Sequence, residues 1–413
     1  MVSANNHRDC QFFYFNQGDR YMLTSLAIMF LLGLTLGKIF KSLKLPSLIG
    51  MILAGMIVSP HALNLLDSSI LMISADLRQI ALIIILTRAG LSLRISDLKK
   101  VGRPAILMCF LPALLEIVGV ILIAPKLLGI SMLEAAIIGS IIAAVSPAII
   151  VPRMIKIINE GYGRKNSIPQ LILAGASVDD VFVIVLFTIF TSLAIGGEIN
   201  AFSFVQIPIS IILGIIVGVL SGILLTIFFK KFHMRDTIKI MIILSISFLL
   251  IELEHRLDGA VTISGLLAIM SMGITILREY EVLAKRLEIK YNKLWVGAEL
   301  MLFVLVGATV DISYAMAAGL FSVILVLGAL VFRLVGVELS LLKTALSKKE
   351  KLFTMIAYTP KATVQAAIGA VPLSMGLAIG QQALTTAVVS ILITAPIGAI
   401  LIDNLYNKLL NKE

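Results

Sequence analysis

The hydrophobic pattern of this chain consists of long apolar runs separated by short polar loops. A bilayer-spanning helix needs about 20 mostly apolar residues. On that measure the pattern divides into thirteen spans, at 21–41, 45–63, 72–93, 105–125, 132–155, 168–196, 203–229, 237–257, 261–277, 295–313, 317–342, 352–373 and 383–404. The third is the least regular, with Asp76 and Arg78 near its start and Arg88 inside it. The loops leave no room for a soluble domain, so the predicted fold class is an all-α polytopic membrane protein.

Loop charge is an independent check, because Lys and Arg favour the cytoplasmic side. Basic loops (Lys38/Lys41/Lys44, Arg94/Lys99/Lys100/Arg103, Arg153/Lys156/Arg164/Lys165, Lys230/Lys231/Arg235/Lys239, 278–294 and Lys343/Lys348/Lys349/Lys351) alternate with loops poor in basic residues. With an odd number of spans, this predicts an N-terminus outside and a C-terminus inside. Composition agrees: 59% of the 413 residues are hydrophobic, 14% are charged, and the mean hydropathy is +1.05. The net charge of +10 then needs no nucleic-acid partner, since cytoplasmic loops facing anionic membrane lipid account for it. The polar and aromatic first twenty residues lack a cleavable signal pattern and predict an extracytoplasmic segment, 1–20. Cys10 and Cys109 cannot form a disulfide framework or a Cys-based metal site, and the four histidines fall in loops or at span ends.

Against this background the stretch "ASVDDVFVIV" places Asp179 and Asp180 near the centre of an otherwise uncharged span. A charge at membrane mid-depth costs at least ~2.5–3.5 kcal/mol and marks an ion path, a proton relay or a buried pair. Two other spans carry interior prolines, Pro147 in "AAVSPAIIVP" and Pro360 in "AYTPKATVQAAIG". Lipid cannot satisfy the backbone groups a proline frees, so such breaks require cover from protein or a water-filled cavity. The breaks lie seven spans apart, and an odd offset inverts the helix direction, so the chain reads as an inverted repeat. Interrupted spans at matching places in two halves are the sequence mark of a transporter's central site. The same offset pairs Glu116 with Arg333.

Counting 1.5 Å per residue from the nearest loop charges puts Asp180, Glu116, Arg333 and Lys361 at depths of ~15–22 Å, well inside a ~30 Å core. Three acidic and two basic residues sum to a charge of minus one, which one monovalent cation or one proton would neutralise. Hard cations prefer oxygen ligands, which the carboxylates, unwound carbonyls near Pro147 and the hydroxyls of Ser146 or Ser177 could supply. If proton and cation compete for one carboxylate, and the site opens to one side only when occupied, antiport follows by mass action. Glu116 and Arg333 read as a buried structural pair, since arginine keeps its proton. Lys361 either neutralises the ends of the broken helices or titrates during the cycle, and Asp179 points toward Arg333 or Lys361. Gly214, Gly218 and Gly222 form a small-residue packing face. Arg88 is expected to reach the cytoplasmic interface, and "REYEVLAKRLEIKYNKL" to lie there as a helix.

The runs "AVSPAIIVP", "EGYG", "GASVDDV", "TPKATVQAAIG" and "SILITAPIG", with the earlier "LPSLIGMILAGMIVSP" and "RAGLSL", resemble the cation:proton antiporter superfamily, most closely its NHA-type sodium/proton antiporter branch. The resemblance covers nearly all of the chain from about residue 40. It implies a homodimer with elevator-like alternating access. Residues 21–93 and 237–313 would form the dimerisation domain, 105–196 and 317–404 the core ion-transport domain, 203–229 the linker helix and 405–413 a cytoplasmic tail. It also implies that Asp180 is the ion-binding aspartate and Asp179 its neighbour. Ser146, Pro147, Thr359, Pro360 and Lys361 would build the broken-helix site, Ser177 would be a possible further ligand, and Glu116 and Arg333 the core ion pair. Sodium or lithium is then transient cargo, and no cofactor is implied. In this family the electrogenic members carry a lysine where this chain has Arg333, a departure that favours one proton per sodium.

A cation channel lacks support because no repeated filter sequence appears. An intramembrane aspartyl protease needs facing aspartates on different helices. A sodium-coupled solute symporter with the same inverted-repeat architecture is the alternative reading; against it stands the absence of an aromatic or mixed polar cluster near the breaks to hold an organic substrate. The chain therefore reads as a transporter, not an enzyme, with a cell membrane as its expected place.

Overall fold

The computed structural model describes residues 22–93, 102–195, 201–257 and 263–412; of these, the side chains of Ser177, Val181, 201–208 and His255 are not described. The expected 1–20 segment and most of the basic 94–103 loop fall outside the described residues. Those described are helical throughout, apart from turns and a single antiparallel bridge between Tyr162 and Lys412. Eight helical stretches among them are long and apolar enough to cross a membrane. The molecule is therefore a multi-pass helical membrane protein.

One group of helices comprises α1 (Met22–Ser42), α2 (Ser47–Val58), the short α3 (Ser68–Met72) and α4 (Ser74–Ser92). It is joined by α10 (Ala201–Lys231), α11 (Asp236–Arg256), α12 (Gly265–Glu279) and α13 (Glu281–Thr309). The other group contains α5 (Arg103–Met108), α6 (Leu111–Leu128), α7 (Met132–Ala143), α8 (Pro147–Asn159) and α9 (Ile168–Ala194). It is completed by α14 (Ile312–Ser340), α15 (Lys348–Ala357), α16 (Thr363–Ile368), α17 (Val371–Ser374) and α18 (Gly380–Leu409). The groups meet where α16 packs against α4 and α13, and where α9 touches α10.

Glycine spacing explains the close approach of α10 and α12. A Cβ added at Gly218 of α10 would lie 2.2 Å from the backbone oxygen of Ala268 on α12, and one at Gly214 would lie 2.7 Å from that of Ser264. The small-residue face is thus a packing seam, as its spacing predicts. Gly218→Leu should force α10 and α12 apart and cost ~1–3 kcal/mol. A thermal-unfolding midpoint in detergent no lower than the parent's would contradict this.

Three features differ from the pattern-based expectation. The fourth span is not continuous: it breaks at Cys109 and Phe110 between α5 and α6. Phe110 leaves the helical region with φ −144° as the cap of α6, and Pro112 falls in the first turn of α6, where its missing N–H costs nothing. The stretch "REYEVLAKRLEIKYNKL" does not form a separate interfacial helix, because from Glu281 it is continuous with the following span as α13. Its Leu283, Leu287 and Tyr291, spaced by four residues on one face, are fully buried. Arg78, placed near a span end by the pattern, is buried, and its Nε donates to the carbonyl of Ser74 at 3.1 Å.

Candidate ion site at the crossed helix breaks

Both interrupted helices begin in the same way. α7 starts with Ser131, whose hydroxyl accepts from the Glu134 backbone while Glu134 returns a bond to the Ser131 backbone; Ser347 and Glu350 repeat this at α15. Each is a capping box, S-x-x-E, satisfying two orphan donors of the first turn. The shared start supports the inverted-repeat pairing of the two elements.

Each helix then stops short. Between α7 and α8 the chain turns extended at Ala144 (ψ 142°) and Ser146 (ψ 110°), and Pro147 opens α8 in the first-turn position where its missing N–H costs nothing. Between α15 and α16 it unwinds from Tyr358 to Ala362, with Pro360 inside the gap. The two breaks touch through backbone, where Ser146 N–H donates to the Pro360 carbonyl at 2.8 Å. Gly398 of α18 makes room for this crossing, since a Cβ there would lie 2.5 Å from the Pro360 ring.

Three of the carbonyls freed at the end of α7 find side-chain donors. Ile142 O accepts from Lys361 Nζ, Ala143 O accepts from Arg333 Nη1, and Ala144 O accepts from Gln365 Nε2 at 2.8 Å. Two cations and an amide thus meet the negative end of a helix dipole. Arg333, fully buried on α14, also donates from Nε to the Tyr358 carbonyl at 2.6 Å. Its Nη1 reaches Glu116 Oε2 and its Nη2 reaches Asp179 Oδ2, both at 2.9 Å. Lys361 pairs with Glu116 Oε1 at 2.7 Å, and its backbone N–H donates to Thr394 Oγ1 at 3.0 Å. Asp179 Oδ2 takes a further bond from Val145 N–H at 2.9 Å.

The expected residues therefore converge, with different environments. Glu116, Arg333, Lys361 and Asp179 form one buried chain of ion pairs in which two positive and two negative charges cancel. Asp179 takes Arg333 as its partner. Asp180, one position on and only 7% exposed, makes no hydrogen bond or ion pair with any described side chain, and its Oδ1 is buried and unpartnered. It carries the charge left over in the five-residue sum. Ser146 Oγ lies 3.5 Å from Thr363 Oγ1, whereas the Thr359 hydroxyl turns back to its own helix at Ile356 O, 2.9 Å away. Ser177 sits in α9, but its side chain is not among those described.

Gln365, Tyr358 and Thr394 are contributors that the pattern did not single out. All three are buried polar side chains in apolar surroundings, which is itself the signal that could have found them. Tyr358 anchors the second break by donating its phenol to the Met108 carbonyl at 3.2 Å.

Two interrupted helices crossing inside a multi-pass bundle, with an unpaired carboxylate beside the crossing, define a secondary transporter. Comparison with known proteins narrows the class: the family described as "Sodium/hydrogen exchanger, transmembrane" matches residues 26–408, and the chain belongs to it. It is 31% identical to human sodium/hydrogen exchanger 9B2, covering 94% of this chain and 75% of that protein, and 29% identical to human sodium/hydrogen exchanger 9B1 over 95% and 79%. The fold is similar to that of the sodium proton antiporter MjNhaP1 from Methanocaldococcus jannaschii, with a TM-score of 0.81 at 20% identity over 94% of this chain and 97% of that one. The family is one of transporters, not enzymes.

Proposed function

We propose that this protein exchanges sodium, and also lithium, for protons across a cell membrane, with Asp180 holding either the cation or the proton. The observation that carries this reading is the charge balance of the buried cluster. Four charges neutralise one another in pairs, and Asp180 stands apart beside the crossed breaks. A single uncompensated carboxylate in a low-dielectric site needs one monovalent counter-charge, which either a proton or a sodium ion supplies. Since each occupant neutralises the same unit of charge, one proton exchanges for one cation and the cycle is electroneutral. The Arg333 guanidinium keeps its proton throughout, and Lys361 stays engaged with Glu116.

The same reading takes the helices as thirteen spans with the N-terminus outside and the C-terminus inside. Supporting it, several loops predicted to be cytoplasmic gather at one end: Arg103 Nη1 reaches Leu342 O at 3.4 Å, Asn166 reaches Glu350 at 2.9 Å, and Gly163 N–H donates to Asn411 O at 2.9 Å. Residues 105–196 and 317–404 act as the moving core, 21–93 and 237–313 as the dimerisation part of a homodimer, and 203–229 as the linker. The sparse packing between the two helix groups, set against the dense packing within each, suits sliding of one past the other.

The test is made in proteoliposomes carrying a pH gradient. Added sodium or lithium should dissipate the gradient at a rate unchanged when the membrane potential is clamped to zero. No cation-driven proton movement would end the antiport reading, and a rate that follows the potential would end the electroneutral one.

A further inference from the structure

Gln365 is a polar side chain at the crossing that touches neither carboxylate nor cation, and its partners are backbone carbonyls of the first break. It is fully buried in the first turn of α16. Its Nε2 lies 2.8 Å from Ala144 O and 3.4 Å from Ile142 O. Both partners are carbonyls, which only accept, so the amide nitrogen must be the atom that faces them. The peptide whose carbonyl it holds joins Ala144 to Val145, and the N–H of that same peptide donates to Asp179 Oδ2.

We propose that Gln365 is a positioning residue for cation and proton exchange: by holding the Ala144–Val145 peptide it keeps Asp179 bound in place beside Arg333, leaving Asp180 as the one carboxylate that trades its proton for a cation. The inference rests on the reading of Asp180 given above. A donor on the carbonyl side of a peptide polarises it and strengthens its N–H as a donor. Asp179 depends on that N–H, because Oδ2 carries both of its bonds, one from Val145 and one from Arg333, while Oδ1 is buried without a partner. Among the described residues, the ionisable groups around the aspartate pair include Arg333 from α14, Glu116 across the same guanidinium, Lys361 from the second break, Cys109 from the α5–α6 junction and Tyr358 from the end of α15. Gln365 adds no charge to this set, so its effect can pass only through geometry. Once the peptide loosens, Asp179 is free to leave Arg333, and two adjacent carboxylates titrate as a coupled pair.

Sodium-driven proton exchange measured against pH in proteoliposomes, for the parent, Gln365→Leu, Gln365→Glu and Asp180→Asn, tests this. Gln365→Leu should raise the half-saturating sodium concentration about tenfold, the equivalent of one lost buried hydrogen bond. It should also broaden the pH profile into that of two carboxylates. Gln365→Glu should work at acidic pH, where a protonated carboxyl still donates to Ala144 O. It should fail at alkaline pH, where a carboxylate would face carbonyl oxygens. If Gln365→Leu only scales the rate, with sodium and pH dependence like the parent's, the positioning role is overturned. Should Gln365→Leu yield no folded protein, a Gln365→Glu profile parallel to the parent's overturns it equally. Failure of the underlying reading looks different: the parent moves no protons with sodium, or Asp180→Asn matches it.

Discussion

Asp180→Asn abolishes sodium-driven proton exchange while leaving the protein as stable as the parent or more so. The first half follows from charge. A carboxylate and a monovalent cation ~4 Å apart attract each other by about 4 kcal/mol at an effective dielectric of ~20, and the neutral amide forfeits this. That corresponds to a loss of cation affinity on the order of 10²- to 10³-fold. An amide also cannot take up and release a proton near neutral pH, so both halves of the cycle stop. The second half follows from the surroundings. Asp180 has no hydrogen-bond or ion-pair partner to lose among the described side chains, and it is almost fully buried. Replacing an uncompensated buried charge with a neutral isostere removes a desolvation cost. Transport assays beside thermal-unfolding midpoints in detergent check the pair of claims. Exchange at the parental rate in Asp180→Asn would remove Asp180 from the mechanism. Lost transport with a collapsed midpoint would make the residue structural.

The stability comparison matters because Asp179 predicts the reverse. Its Oδ2 joins the Val145 peptide to Arg333, so Asp179→Asn loosens a connection between the first break and α14. Two neighbouring carboxylates, one held and one free, thus differ in what their loss does, although sequence alone gives them the same context.

What the sequence made legible, and what it did not, follows the physics of each feature. Membrane spans announce themselves because lipid demands unbroken apolar length, and the two breaks because proline is costly in lipid. Charges at depth are conspicuous for the same reason, so Glu116, Asp179, Asp180, Arg333 and Lys361 could be gathered before any distance was known. Which of them pair could not be read, because a side chain's direction depends on helix rotation: the choice of Asp179 over Asp180 by Arg333 is a matter of about 100° around α9. The break at Cys109 and Phe110 is not legible because the uncharged apolar run continues across it. The stretch 281–294 reads as interfacial because its charges hide one buried apolar stripe, Leu283, Leu287 and Tyr291. The capping boxes at Ser131 and Ser347 were present as S-x-x-E, and they are the local signal that ties the two halves together.

Arg333→Leu should be the most destabilising substitution in the core. One guanidinium serves four acceptors on four separate pieces of chain: Glu116 on α6, Ala143 O at the end of α7, Asp179 on α9 and Tyr358 O at the second break. Leucine fills part of the volume and answers none of them. Two carboxylates that had been balanced by two cations are left with Lys361 alone, and breaking a buried pair from one side costs about 3–5 kcal/mol. The planar fork is what allows the four directions, so Arg333→Lys, with the charge but a single donor centre, should recover only part of the loss. Adding Asp179→Asn to Arg333→Leu should recover part of it as well, because the stranded charge is then gone, and the coupling between the two sites should fall within about 0.5–3 kcal/mol. Unfolding midpoints of the two single variants and the double variant decide the matter. A fully additive pair would mean that the Arg333–Asp179 contact contributes nothing to holding the crossing. A non-additive pair with a rescued midpoint would mean that the ion-pair chain is the element that fixes the two breaks against each other, so that Asp180 is presented at their junction as the one charge left to exchange.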